Sequence, residues 1–263
     1  MNLVKRYTCI IGAVREEIVG IKRGMRIEQR IRSRGIKVFK GRFKEKDMLL
    51  VRSGVGEVRA EESVRLMVDE FPVGSIISLG YAGAVREGIG IGDIILCDRV
   101  IRDRGMWGLG VRRGLFSEEY LPNTDLFKKA LDVLQKDNID FHQGAILTVD
   151  RIISSPEMKR WIGETYPVIG VEMETAGLAR VATMMGIPFL SIRAISDTVD
   201  DNVISFSSFL SKSGRILRAK AGIYMLRHPW SLRDFMELKI KSRRATLPLT
   251  RFIYRFMERR GGE

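Results

Sequence analysis

Cysteine and histidine are scarce in this chain, and their scarcity narrows its chemistry. Cys9 and Cys97 are the only cysteines among 263 residues. Both stand inside apolar runs, so neither a disulfide framework nor a CxxC metal site can be built. His142 and His228 are the only histidines, which leaves no histidine-based zinc site. The composition suits a reducing, cytoplasmic compartment and requires neither a metal nor another cofactor. Long apolar runs are also missing. The longest uncharged stretch, residues 71–85, is broken by Pro72, Gly74, Gly80 and Gly83, well short of the roughly 20 residues a membrane-spanning helix needs. Residues 7–14 are apolar but run straight into Arg15-Glu16-Glu17, which suits a buried strand and not a signal peptide. Neither GxGxxG nor GxxxxGK[ST] occurs, so dinucleotide and P-loop chemistry are disfavoured. There is no internal repeat and no low-complexity linker.

What is present is an ordinary globular composition with one unusual property. Hydrophobic residues make up 45% and charged residues 29%, enough for a large core without covalent staples. The net charge is +13, and thirteen Lys/Arg against four acids from Arg215 onward place +9 of it in the tail. The chain therefore divides into a nearly balanced body, residues 1–214, and a basic extension, residues 215–263. In the extension, Ser231-Leu232-Arg233-Asp234 resembles a helix-capping box. Beyond it, Leu232, Phe235, Met236 and Ile240 share one face, and Leu249, Phe252, Ile253, Phe256 and Met257 another, with arginines and lysines between. Two readings stand about level: a basic amphipathic helix lying on an anionic membrane through residues 230–260, or an extra helical element packed on the core or a subunit interface. Nucleic-acid binding ranks below both, since no binding motif accompanies the charge.

In the body, strand-length apolar runs alternate with helical spacing. Residues 4–14, 47–53, 75–80, 93–96, 144–149 and 189–195 read as strands, and 59–71, 124–135 and 174–185 as helices. Such alternation predicts an α/β fold with a largely parallel sheet covered on both faces. Ligands in such folds bind at the carboxyl ends of the strands. That singles out residues 12–17, 54–56, the glycine turn expected over 80–83, Asp150, and Ser196-Asp197. The densest cluster is Glu172-Met173-Glu174 before a helix, followed by Arg193 to Asp197. Acids at a helix start can simply complement its dipole, and Ser196-Asp197 can simply cap a helix. Arg193, inside an apolar strand, needs a carboxylate partner if buried.

These segments together resemble the nucleoside phosphorylase superfamily, nearest its methylthioadenosine/S-adenosylhomocysteine nucleosidase branch. Residues 11–17 (Ile-Gly-Ala-Val-Arg-Glu-Glu), 53–56 (Ser-Gly-Val-Gly), 80–83 (Gly-Tyr-Ala-Gly), Gly92-Asp93, Glu172-Met173-Glu174 and 193–197 (Arg-Ala-Ile-Ser-Asp) occur in the family's order. The resemblance implies a three-layer αβα sandwich around a twisted mixed sheet, with a helical C-terminal extension, assembled as a homo-oligomer. It implies cleavage of a purine–ribose bond. Asp197, assisted by Ser196, would protonate purine N7, Glu174 would bind the ribose hydroxyls, and Met173 would pack on the sugar. Glu17 would activate water, with Arg193 holding the carboxylates, among them Glu172. Phosphorylases of this superfamily grip phosphate with an arginine and a hydroxyl residue flanking the glycines; here Ser78 and Tyr81 stand there, so hydrolysis is favoured over phosphorolysis. Tyr81 replaces a small hydroxyl residue and Ile152 an aromatic one, changes that reshape the pocket beside Gly80. Residues 148–159 and the tail look more like hopanoid-associated phosphorylase-like proteins, which implies adenosylhopane as a further substrate candidate. A non-catalytic nucleoside-binding protein is the reading least consistent with retention of Glu17, Glu174 and Asp197.

Overall fold

Two apolar faces on one sheet require two helical layers, and the computed structural model has both. It describes residues 6–104, 117–202 and 231–259, the side chains of 231–242 excepted. Strand β1 (Tyr7–Gly12) lies between β4 (Lys46–Arg52) and β5 (Val73–Ala84), parallel to both. Beyond β4, an antiparallel meander adds β3 (Ile36–Phe43) and β2 (Met25–Ser33) as the edge. Beyond β5 the sheet curls. β5 pairs with β9 (Gly170–Glu172), β9 with β8 (Phe141–Thr148), β8 with β6 (Ile94–Asp103), β6 with β10 (Phe189–Asp197), and β10 returns to β5. A short β7 (Ser117–Tyr120) extends β6 outward. Five strands thus form a closed ring, with parallel and antiparallel pairs mixed.

On one face, α2 (Glu57–Glu70) and α5 (Thr175–Met184) bury Val64, Met67, Ala179 and Val181 against Ile11, Val51 and Ile195. On the other, α1 (Arg15–Arg23), α3 (Thr124–Lys136) and a long α6 (Ser231–Glu258) bury Ile18, Ile21, Val133 and Phe252 against Ile10, Leu50, Ile77 and Ile192. Helix α4 (Pro156–Thr165) closes the end of the ring, packing Ile162 against Leu147 and Val168. This is the three-layer αβα arrangement with a mixed sheet that the motifs imply.

Three local differences matter. No turn forms at Gly80 and Gly83: β5 runs straight through both. The glycines are there for room, since a Cβ on Gly80 would lie 2.9 Å from Glu17 Oε1 and one on Gly83 2.7 Å from Asp197 Oδ2. Strand β10 likewise continues to Asp197, so the acid is a strand residue and not a helix cap. Finally, β2 and β3 lie in a stretch too rich in charge to read as strands, because β2 is an edge with mostly exposed side chains.

The tail is part of the wall. Ala245, Leu249, Phe252, Ile253, Phe256 and Met257 are all buried in the core shared with α1, α3 and the sheet. The apolar face weighed as a lipid contact is thus committed to the chain's own interior. Three of its arginines are engaged as well: Arg251 donates to the Asp137 carbonyl, Arg255 pairs with Asp137, and Arg259 pairs with Asp132 and Asp137. The face carrying Leu232, Phe235, Met236 and Ile240 lies outside the described side chains, and residues 215–230 lie outside the described residues. None of the helices described is long and apolar enough to cross a membrane.

Candidate active site

Glu17 stands in the first turn of α1, where unpaired backbone N–H groups favour an anion. Its Oε2 accepts from the N–H of Ala13 (2.6 Å) and Val14 (2.9 Å), and its Oε1 from Tyr81 N–H on β5 (3.1 Å). Burial pushes its carboxyl up to about 7, against the opposing pull of those N–H groups and of Arg193. A buried carboxyl near neutrality can change protonation during a turnover.

Arg193 is 2% exposed, so its charge must be met inside. It donates through Nη2 to Glu172 Oε2 (3.1 Å) and Ser78 Oγ (2.7 Å), and also to Thr175 Oγ1. Glu172 in turn accepts from Thr148 Oγ1 (2.5 Å), Thr175 Oγ1 (2.5 Å), Thr175 N (2.8 Å) and Glu174 N (3.0 Å). Every oxygen of Glu172 is therefore used within the protein. The residue borders the cleft, and its carboxylate braces Arg193 and the start of α5.

Glu174 caps the start of α5 without bonding to that helix's first turn. Its Oε1 instead reaches across to accept from Gly56 N–H (2.7 Å). Gly56 has φ +100°, a left-handed conformation that lets its N–H point at the acid. Burial and the neighbouring Glu172 and Glu17 charges push the Glu174 carboxyl up. Glu17, Glu174 and Arg193, with Ser53, Ser78 and Gly80, enclose a narrow chamber with room for about one water molecule.

That chamber adjoins a cleft of about 230 Å³ lined by Val14, Val55, Tyr81, Ile152, Met173, Ser196 and Asp197, among others. Asp197 accepts from Ser196 Oγ at Oδ1 (2.6 Å) and from Lys159 Nζ at Oδ2 (2.5 Å). The expected residues Glu17, Glu174, Met173, Ser196, Asp197, Tyr81 and Ile152 thus converge on one cleft, with Gly80 and Arg193 at its inner end. The Tyr81 hydroxyl meets Thr246 Oγ1 of α6 at 2.5 Å. Among the described residues, no group of His, Cys, Asp and Glu side chains converges to hold a metal ion.

Sequence reasoning gave no role to Lys159, Thr148 or Thr175, and singled out Gly56 at a strand end without assigning its N–H to Glu174. Lys159 had a legible signal. Ser155-Pro156-Glu157 is a helix start, and Ser155 Oγ does accept from Met158 N (3.2 Å). Three and four residues beyond Lys159, Ile162 and Gly163 continue the buried face. A lysine on such a face needs a buried anion. Thr148 and Thr175 carry no comparable signal.

Known proteins add the following. The model of the phosphorylase superfamily matches residues 7–220. A 5′-methylthioadenosine/S-adenosylhomocysteine nucleosidase of Staphylococcus epidermidis is 31% identical over 210 residues, 78% of this chain and 92% of that protein. Among solved structures, a nucleosidase of the same name from Helicobacter pylori, with butyl-thio-DADMe-Immucillin-A, superposes with a TM-score of 0.68 at 26% identity, over 84% of this chain and 98% of that one. The Neisseria meningitidis nucleosidase with methylthio-immucillin-A gives a TM-score of 0.75 at 20% identity, over 95% and 98% of the two chains. That coverage extends the likeness in fold into the basic tail.

Proposed function

The chain belongs to the phosphorylase superfamily, and we propose that it hydrolyses the N-glycosidic bond of a 5′-substituted adenosine, releasing adenine. The observation that carries this reading is the pairing of a one-water chamber, bounded by Glu17 and Glu174, with a cleft that holds Asp197. Glu17 serves as base toward water, and Glu174 accepts from the ribose hydroxyls and offsets the positive charge that develops on the sugar. Asp197 gives a proton to purine N7, because a purine anion leaves poorly. Ser196 orients that acid, Met173 floors the sugar, and Arg193 fixes the carboxylates through Glu172.

Water is favoured over phosphate by size and charge. The nucleophile's place has room for about one water molecule and is bordered by Glu17 and Glu174 as well as by Arg193, whose Nη2 is engaged by Glu172. A phosphate dianion would need a larger space and would be repelled by either acid when ionised. Adenine release should therefore be indifferent to added phosphate, and Asp197→Asn should abolish it. A phosphate-dependent rate, or substantial Asp197→Asn activity, would refute this assignment.

The cleft wall of Val14, Val55, Val149, Ile152, Ile153, Val171 and Met173 is apolar and favours an apolar 5′ substituent over a zwitterionic one. Methylthioadenosine should be cleaved with a higher kcat/KM than adenosylhomocysteine, and adenosylhopane belongs in the same panel. As part of this reading we propose a cytoplasmic homo-oligomer joined through the face of α2 and α5, where Val58 (69%), Met184 (65%) and Met185 (45%) are exposed. Light scattering on the purified chain tests the assembly.

A further inference from the structure

Lys159 lies on α4, at the end of the segment 148–159 and outside the short motifs that hold Glu17, Glu174 and Asp197. Its side chain has no solvent exposure, so it lies behind the cleft wall. An ammonium group has three donors, and here each is placed: Asp197 Oδ2 at 2.5 Å, the Thr198 carbonyl at 2.7 Å and the Asp201 carbonyl at 3.0 Å. None remains for a substrate. Whatever Lys159 does for the reaction, it does through Asp197.

The surroundings hold this arrangement in place. The turn that supplies the two carbonyls is tied by Asp201, which accepts from Thr198 N (2.8 Å) and Thr198 Oγ1 (3.0 Å). Ser196 Oγ holds the other oxygen of Asp197, and β5 passes close enough that only glycine fits at position 83. Nearby cations are engaged elsewhere: Arg160 with Asp200, Arg151 with Asp150, and Arg193 with Glu172. Glu157 and Glu164 are the acids of α4 itself, and Glu17, Glu172 and Glu174 line the chamber and cleft. Among the described residues, Lys159 is the cation that meets Asp197.

We propose that Lys159 is a positioning residue for the acid: it fixes the Asp197 carboxyl and receives its charge when the proton leaves. This rests on the reading of Asp197 as the N7 acid. As the C1′–N9 bond breaks, its electron pair passes to the base, the acid O–H breaks and the N7–H bond forms. Asp197 is then a carboxylate in a low-dielectric site, and the ammonium 2.5 Å away neutralises it. The attraction is greater after proton transfer than before, which lowers the barrier once Asp197 has taken up its proton from solvent.

The test compares two leaving groups. Methylthioadenosine needs a proton on its base, whereas 4-nitrophenyl 5-methylthio-β-D-ribofuranoside expels nitrophenolate without one. Lys159→Met should lower kcat on methylthioadenosine by roughly 10²- to 10⁴-fold, the range for loss of acid catalysis, with KM little changed. On the nitrophenyl riboside the loss should stay several-fold at most. If the Met variant lacks the wild-type circular dichroism spectrum, Lys159→Gln carries the same comparison. Equal losses on both substrates would reduce Lys159 to a structural role, and a wild-type rate on methylthioadenosine would remove it from the mechanism. Asp197→Asn run alongside separates the two readings. If it stays active on methylthioadenosine, the acid itself is misassigned; if it is inactive there while Lys159→Met is not, only the present proposal falls.

Discussion

Glu17 joins sequence, geometry and pH in one side chain. Three backbone N–H groups would by themselves hold a carboxylate ionised at low pH, yet burial outweighs them and pushes the carboxyl up to about 7. A base toward water works only when ionised. Activity should therefore be lost as pH falls through about 7, with log kcat/KM, which reports the free enzyme, rising with unit slope on the acid side. A rate profile between pH 5 and 9 measures this; a plateau persisting to pH 5 would mean another group takes the water's proton. Glu17→Gln should remove the base and also turn an amide N–H₂ toward backbone N–H donors, with a loss of roughly 10²- to 10⁴-fold in kcat. Glu17, Glu174 and Asp197 were legible because each belongs to a short ordered motif. The pairing of Lys159 with Asp197 was not, because the two lie 38 positions apart and only the fold brings them together.

At the scale of elements, the central strands could be read because burial on both faces gives continuous apolar runs such as the Cys-Ile-Ile of β1. The meander could not. β2 pairs on one side only, and its sequence MRIEQRIRS lacks a clean alternation. Helix α6 presented the opposite difficulty. Its apolar stripe was plain, but a stripe states that something covers it and not what does. Here the cover is α1, α3 and the sheet. Phe252 is fully buried in that interface, and Phe252→Ala should cost about 3–5 kcal/mol by the usual cost of such a cavity, read as a lowered denaturant midpoint. Removal of residues 245–263 should unfold or aggregate the protein. A truncated chain with native melting and activity would show that α6 is dispensable.

Across the whole molecule, stability should be graded from the ring outward. β5 is paired with three strands, β1, β9 and β10, and β10 is paired with both β5 and β6. The edge strand β2 is paired only with β3. Amide exchange followed by mass spectrometry should accordingly be slowest in β5, β1 and β10 and fast in β2. Comparable protection at both places would contradict a core centred on the ring. The acids sit where the protected strands end: Asp197 on β10, and Glu17 clamped to the backbone of β5.

Helix α6 seats on α1 through two glycines. A Cβ on Gly20 would collide with Thr250, and one on Gly24 with Tyr254, whose hydroxyl donates to the Gly20 carbonyl 234 residues away. During synthesis, the helix that carries Glu17 is therefore made long before the helix that covers its apolar side. Since chains fold as they emerge, the side of α1 at Gly20 and Gly24 stays open until α6 is made. Activity should then appear only after α6 has been delivered.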